Sequence, residues 1–248
     1  MIIITAFILQ WYLAVFMQSF FLHRYSAHKM FTMSTFWEKF FYILTFLLLG
    51  PSYLSPRAYG LMHRLHHAFA DTKKDPHSPK YSANVFSMMW QTRKLYFSIL
   101  NNESVIDKKF HKIEVYWPRF ENMLDNWLVR ISWIFIYFAF YITFAQSVWE
   151  FLLFPVHCLL GPIQGAIINW YCHRYGYVNY HVNDTSKNLF PLDFFMMGEG
   201  YHNNHHRFGG RANFGIKWHE WDFSYPLISL FNIIGIIKLK KNNDEKYM

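Results

Sequence analysis

Three stretches of the chain are apolar over the length of a membrane-spanning helix. Residues 1–22 contain no charged side chain, residues 131–149 contain none, and after Glu150 residues 151–172 are again uncharged. A helix needs roughly 20 mostly apolar residues to cross the hydrocarbon core of a bilayer. The pattern therefore predicts about three transmembrane helices, of which the last two form a hairpin that turns near Glu150.

A fourth apolar stretch, residues 36–60, is interrupted before it reaches that length. Its uninterrupted apolar run covers only residues 40–49, after which Pro51 and Pro56 break the helix. We expect an interfacial or re-entrant helix here instead of a crossing. Residues 84–130 mix aromatic with charged side chains, a composition that suits helices lying on the membrane surface.

Composition and charge placement agree with a membrane protein. Only 16% of the residues are charged and 53% are hydrophobic, whereas an ordinary soluble domain carries about 25% charged residues. Of the 24 Lys and Arg residues, fifteen lie in residues 24–130 and nine in residues 174–248. We predict an all-α integral membrane protein of about three transmembrane helices, with interfacial helices and a histidine-rich cap, forming one domain over residues 1–248.

The same charge placement predicts the orientation of the chain. Lys and Arg in short loops mark the cytoplasmic side of a membrane, so residues 23–130 and 173–248 are expected to be cytoplasmic and the N-terminus outside. The net charge of +8 with neutral histidine follows from this anchoring and does not indicate a nucleic-acid partner. We place this multi-pass protein in a bacterial cytoplasmic membrane, with the lipid bilayer as a partner.

Nine of the fourteen histidines fall in four clusters next to the predicted membrane boundaries. Positions i, i+3 and i+4 share one face of a helix, so each HxxHH box is expected to present three imidazoles toward one centre. The clusters hold His23 and His28 in HRYSAH, His63, His66 and His67 in HRLHH, His173 at the end of the last span, and His202, His205 and His206 in HNNHH.

The first cluster differs from the boxes in its spacing. His23 and His28 are five residues apart, which places them about 140° apart on an ideal α-helix. They are therefore expected either to serve two different metals or to have the helix end between them. The five remaining histidines are interpreted as hydrogen-bonded packing residues; they are His77, His111, His157, His181 and His219.

The number of clustered histidines indicates two metal ions. Imidazole is a ligand for zinc, copper, iron and nickel, and one tetrahedral zinc takes only four ligands. Nine imidazoles suit two ions, each with four or five of them and one free or water-filled position. The residues alone do not select iron among these metals.

The clusters also resemble a known family. HRYSAH, HRLHH followed by DTKKDPHSP, and GEGYHNNHH are similar to the three histidine boxes of the membrane-bound fatty-acid desaturases, from about Gln18 to about Trp221. Asn169 and His173 resemble the Asn-x-x-x-His element of the acyl-CoA desaturase branch. The resemblance implies two iron ions bound by the nine histidines, with Asn169 holding a water on one iron. It also implies an extra leading helix, which is not seen before this first box.

The family's reaction is an oxygen-dependent removal of two hydrogens, which introduces a cis double bond into a long acyl chain. The substrate would be an acyl-CoA or an acyl lipid, O2 the co-substrate, and the electron donor a separate ferredoxin or b-type cytochrome with its reductase. A related di-iron hydroxylase or ketolase has the same boxes. From another class, a non-redox metal-binding membrane protein remains an alternative.

Other polar residues near the boxes are candidates for supporting roles. Carboxylates commonly orient the imidazoles of a metal site, and those nearest to the boxes in sequence are Asp71, Asp75 and Glu199, each of which could instead be a cap or a surface acid. Four basic residues could meet an acidic donor, a carrier headgroup or a lipid phosphate, or could simply anchor the cytoplasmic side. They are Arg93, Lys94, Arg207 and Arg211.

Overall fold

The computed structural model describes residues 1–112 and 115–240, so the predicted domain's residues 113, 114 and 241–248 lie outside the description. The described part is mainly helical, which confirms the predicted all-α class. The helices are α1 (Ile2–Met17), α2 (Thr35–Leu49), α3 (Pro56–Phe69), α4 (Val85–Leu100), α5 (Pro118–Leu124), α6 (Trp127–Phe144), α7 (Leu153–Cys158), α8 (Leu160–Ala166), α9 (His202–Arg207) and α10 (Tyr225–Ile233), and the strands are β1 (Phe31–Met33) and β2 (Ile237–Leu239).

Two helices of the described chain are long and apolar enough to cross a membrane. The first is α1 with its π-helical continuation Gln18–Ala27, which together form one rod of 26 residues, and the second is α6. The third predicted span is not straight, because Val148–Cys158 and Leu160–Tyr171 meet at an angle of 66°. The helix breaks there because Pro162 cannot donate to the carbonyl of Cys158; that carbonyl instead accepts from Ser52 Oγ at 2.9 Å.

Helix α2 packs against α1 and is short. Its 15 residues span about 22 Å, less than the roughly 30 Å of a hydrocarbon core, in agreement with the prediction that residues 36–60 do not cross. The helix ends at Gly50, whose φ of 53° is costly for any other residue and where a β-carbon would collide with the Tyr137 hydroxyl.

A buried polar cluster joins the membrane helices. His157 Nε2 contacts Gln10 Oε1 at 2.9 Å, and its Nδ1 contacts the Tyr141 hydroxyl at 3.2 Å. Gln10 Nε2 donates to the Leu48 carbonyl at 3.1 Å and to the Tyr137 hydroxyl. Thus His157 is a hydrogen-bonded packing residue, as predicted, and the cluster links α1, α2, α6 and α7.

The cap is built around the end of the first rod. Helix α3 packs along the π-helical segment, and its buried Arg57 pairs with Glu121 of α5 at 2.7 Å. Strands β1 and β2 form an antiparallel pair in which Phe31 is opposite Leu239. Stacked rings of Phe20 and Phe31, with centroids 4.9 Å apart, fill the space beneath this pair. The cap therefore holds α3, the π-helical segment and the C-terminal region in one body.

Candidate metal centre

All nine predicted histidines come together, and they form two groups. Within each group one ring nitrogen of every member lies within 4.8 Å of all the others. The five-histidine group consists of His23, His28, His63, His67 and His205; the four-histidine group consists of His66, His173, His202 and His206. The prediction that each box faces one centre is wrong, because both HxxHH boxes divide their members between the two groups.

The π-helical segment explains how His23 and His28 reach the same group. A π-helix repeats its hydrogen bond at i→i+5, so residues five apart lie nearly above each other. His28 donates its backbone N–H to the carbonyl of His23 at 3.2 Å, which is one such turn. The separation of about 140° expected on an α-helix does not apply here, and the two imidazoles do not serve different groups.

A second π-helical turn, Ile167–Tyr171, precedes His173. The helix ends at Tyr171, and His173 lies two residues beyond it in a turn. Asn169 and His173 therefore do not share a continuous α-helical face. The Asn169 side chain lines a groove next to the five-histidine group. Within the described residues its amide makes no hydrogen bond to protein.

Carboxylates orient several imidazoles from behind. His23 Nδ1 donates to Glu199 at 2.5 Å, and His66 Nδ1 donates to Asp75 at 2.9 Å. A carboxylate only accepts hydrogen bonds, so these rings carry their proton on Nδ1 and turn the Nε2 lone pair toward the group. Asp71, the third predicted carboxylate, lies 3.7 Å from His173 Nδ1.

Two further residues contact imidazole Nδ1 atoms from behind in the same way, and they were not predicted from the sequence. Asp184 accepts from His206 Nδ1 at 2.8 Å, and the Thr185 hydroxyl contacts His173 Nδ1 at 3.2 Å while donating to Asp71 at 2.7 Å. Asp184 is 22 residues from its histidine in sequence, so no local spacing reveals the pair.

Burial favours the neutral form of seven of these imidazoles. Burial, and then neighbouring histidines against the opposing effect of carboxylates, lower the pKa of His66 to about 3. For six others, burial and then repulsion from the positive charge of neighbouring histidines hold the pKa well below 6.5; they are His28, His63, His67, His202, His205 and His206. Neutral imidazole is the form that binds metal.

Two of the nearby carboxyl groups, Glu199 and Asp71, keep their charge. Burial alone would raise the pKa of Glu199, but the charges and hydrogen bonds of His23, Arg24 and Ser19 outweigh it and lower the pKa to about 2. Burial would also raise the pKa of Asp71, yet the nearby His173 and hydrogen bonds from Thr185 and Ser78 hold it below the usual range. The site therefore combines neutral donors with fixed negative charge.

The spacing of the inward nitrogens suits a transition metal. Nitrogens bound about 2.0–2.1 Å from one ion lie about 2.9 Å apart at a right angle and about 3.4 Å apart at the tetrahedral angle. Nε2···Nε2 contacts of 2.9 Å run from His23 to His205, His67, His63 and His28 in turn; in the second group the His66–His206 and His173–His202 contacts are 3.2 and 3.1 Å. The five-histidine group thus fits an ion with more than four ligands.

His77, set aside from the sequence, lies against the site. Its ring centroid is 4.4 Å from that of His66, and it is buried. Neither ring nitrogen has a hydrogen-bond partner among the described residues, so the prediction that this ring is hydrogen bonded is wrong.

An amide network holds the third box. Asn188 Oδ1 accepts the backbone N–H of Asn203 at 3.1 Å, and Asn204 Nδ2 donates to Glu220 at 2.8 Å. Glu220 is buried and accepts two further backbone N–H groups at 2.9 Å from residues 216–217. The two asparagines inside HNNHH therefore fix α9, which carries three of the ligand candidates.

An apolar groove of about 630 Å³ reaches the five-histidine group. His23, His63 and Glu199 form part of its wall, and the rest is mainly apolar, as with Met62 and Ile168. Such a shape and lining suit a long apolar ligand.

Of the predicted basic residues, only Arg93 lines the groove. Its neighbour Lys94 is exposed, with its ammonium 5.9 Å from the Trp90 ring centroid. Arg207 is exposed at the end of α9, and Arg211 is partly buried beyond it. The four therefore do not form one surface with the groove.

Known proteins resemble this chain over most of its length. The family model for fatty acid desaturases matches residues 2–227. A Delta-9 desaturase-like 5 protein of Arabidopsis thaliana is 32% identical over 225 residues, which cover 86% of this chain and 68% of the relative. Delta-9 acyl-lipid desaturase 2 of the same plant is 29% identical, covering 86% and 66%. The acyl-CoA 5-desaturase AL21 of Anemone leveillei is 28% identical, covering 86% and 64%.

Proposed function

The chain belongs to the fatty acid desaturase family, and on that premise we propose that it is a di-iron, oxygen-dependent desaturase that introduces a cis double bond into a long acyl chain. The observation that carries the proposal is the position of the five-histidine group at the wall of an apolar groove, with the four-histidine group directly beside it. A methylene C–H is too weak an acid for any side-chain base, so the reaction needs redox chemistry from a cofactor.

The histidines would hold one ion per group. Two iron ions, when bound, would supply the activation of O2 that breaks unactivated C–H bonds. The rings bring nine imidazole donors, and Glu199, Asp75 and Asp184 fix the tautomers of three of them. The rings therefore already direct their Nε2 lone pairs toward the metal position, so metal binding does not require them to reorient.

The groove would position the acyl chain and exclude water. The apolar side chains of its walls would contact the acyl chain, while His23 and His63 mark the point nearest the metal. Asn169 offers an unpaired amide at that wall, and its oxygen would accept a hydrogen bond from a water beside the metal. Excluding bulk water protects the oxidising centre from side reactions.

The remaining partners are part of the same proposal. Electrons would come from a separate ferredoxin or b-type cytochrome, and the histidine groups would face the cytoplasm, where such a donor is found. Exposed Arg207, directly after the third box, offers a positive charge to an acidic donor.

Expression of the chain in a host with a known lipid profile tests the proposal. We expect about two irons per purified chain and a new cis double bond detected by mass spectrometry of the host's fatty acids. His205→Ala should abolish the product, whereas the control His219→Ala, outside both groups, should retain it. A hydroxylated or oxo product would instead favour the related oxygenases. Recovery of zinc alone from iron-replete cells, with no lipid change, would favour the non-redox alternative.

A further inference from the structure

The groove has an open side. Among the large apolar side chains that line it, those that are also exposed identify its rim: Phe86 and Trp90 of α4, Trp127 and Ile134 of α6, and Leu159 at the break between α7 and α8. Their exposed fractions range from 40% for Ile134 to 83% for Phe86. The opening is therefore a slot bounded by three separate elements along its length.

Two of these elements belong to the membrane-spanning part of the chain. Ile134 is the eighth residue of α6, about 10 Å along that helix, and Leu159 is at the bend of the broken span. The outer face of α6 next to the slot is also apolar and exposed, with Leu128, Ile131 and Phe135 between 44% and 78% exposed. Such a face contacts lipid when the helix spans a bilayer.

The outer end of the slot has a different composition. Trp90 and Trp127 are the kind of aromatic side chains that concentrate at the boundary between headgroups and hydrocarbon. The Arg93 guanidinium lies over both rings, 4.9 and 5.5 Å from their centroids. Among the described residues Arg93 has no carboxylate partner in an ion pair, so its charge is available to a phosphate.

We propose that the groove receives its acyl chain sideways from the bilayer, as one tail of a membrane phospholipid whose headgroup stays at the rim beside Arg93. The inference rests on the proposed function in that the groove holds an acyl chain. Moving a free chain through water would expose its methylenes at about 0.8 kcal/mol each, whereas a tail that slides between α4, α6 and the bend remains in an apolar environment throughout.

Photo-cross-linking tests this route without turnover. The purified protein is reconstituted in nanodiscs that contain phosphatidylcholine with a diazirine in the middle of one tail, and in parallel is given acyl-CoA with the same labelled tail. After irradiation, we expect the phospholipid probe to label groove residues such as Met62 and Ile168. Labelling of the groove by the acyl-CoA probe, with the phospholipid confined to the outer face of α6, would overturn the proposal.

Variants at the slot provide the matched comparison. Ile134→Trp places a larger ring at the rim and should abolish groove labelling by the phospholipid. Ile136→Trp is the control, because Ile136 is 54% exposed on the same helix but does not line the groove. Leu159→Trp, on the opposite lip, repeats the test should the first variant unfold. Undiminished phospholipid labelling in folded rim variants would refute lateral access.

The outcome is separable from that of the proposed function. Cross-linking requires neither iron nor an electron donor, so a labelled groove with no double bond in the host lipids would reject desaturation and leave lateral access intact. A confirmed double bond, together with groove labelling by the acyl-CoA probe alone, would support desaturation and reject lateral access.

Discussion

Replacing Glu199 with glutamine tests whether carboxylates set the tautomers of the metal site. The Glu199 carboxylate accepts three hydrogen bonds, from His23 Nδ1 at 2.5 Å and from Ser19 Oγ and Arg24 Nη1 at 2.7 Å. Glutamine has one oxygen in place of two. If that oxygen stays with Ser19 and Arg24, the new NH2 group faces the Nδ1–H of His23.

Two donors cannot share this contact, so His23 has to move its proton to Nε2, the nitrogen that faces the five-histidine group. A charge-assisted hydrogen bond contributes about 1.5–3 kcal/mol, which corresponds to about 10- to 150-fold in an equilibrium constant. The same range, about 10- to 100-fold, is typical when a residue supporting a metal ligand is lost. We therefore expect Glu199→Gln to bind metal at the five-histidine group more weakly by one to two orders of magnitude.

Metal titration of the stripped protein, followed by elemental analysis after dialysis, measures this loss. The expected result is a stoichiometry that falls from about two ions toward one, with the four-histidine group still loaded because its carboxylates are unchanged. Glu38→Gln is the control, since Glu38 pairs with Lys29 away from both groups. Two ions bound as tightly as in the wild type would refute the tautomer reasoning.

Three other predictions concern separate parts of the chain. Asn169→Ala should keep most of its iron but form product slowly, whereas His173→Ala should lose metal as well as activity; equal behaviour of the two in metal analysis and turnover would reject the role of Asn169. Glu220→Gln should lower the free energy of unfolding by about 1–3 kcal/mol for each donor left unpaired. Burial would raise the pKa of Glu220, but hydrogen bonds lower it. The difference in unfolding free energy between the wild type and Glu220→Gln should therefore be largest above a pH of about 5 and shrink as the pH falls, as measured by thermal unfolding. Cysteines within residues 70–112 should label only from the cytoplasm and one beside Met1 only from outside; labelling of both from the same side would refute the proposed topology.

The ligand candidates could be found from sequence because they are local. His63, His66 and His67 share a box, and a box repeated in an apolar chain has few other uses. The division of each box between two groups could not be found this way. Residues three and four apart share a helix face, but only the positions of the other elements decide which centre each ring reaches.

Other features depend on contacts that sequence distance conceals. The carboxylate of Asp184 supports His206 across a long irregular segment, and nothing in the intervening residues marks the pair. Pro162 removes the helical donor to the Cys158 carbonyl at the bend, but the replacement donor, Ser52, comes from a segment that is distant in sequence. Apolar length alone therefore located the membrane segments but did not show that one of them is bent.

The π-helical segment Gln18–Ala27 sets the angle, about the helix axis, between two stripes of side chains on the rod that it forms with α1. The stripe on α1 packs against its neighbours in the membrane, and the stripe beyond it carries imidazoles. Removing one residue before the pair, within residues 18–22, would leave the spacing of His23 and His28 unchanged, but it would rotate both by about 100° relative to α1. The wide turns thus allow membrane packing and ligand direction to be adjusted separately, and a deletion here would disturb the bundle while sparing the ligand pair.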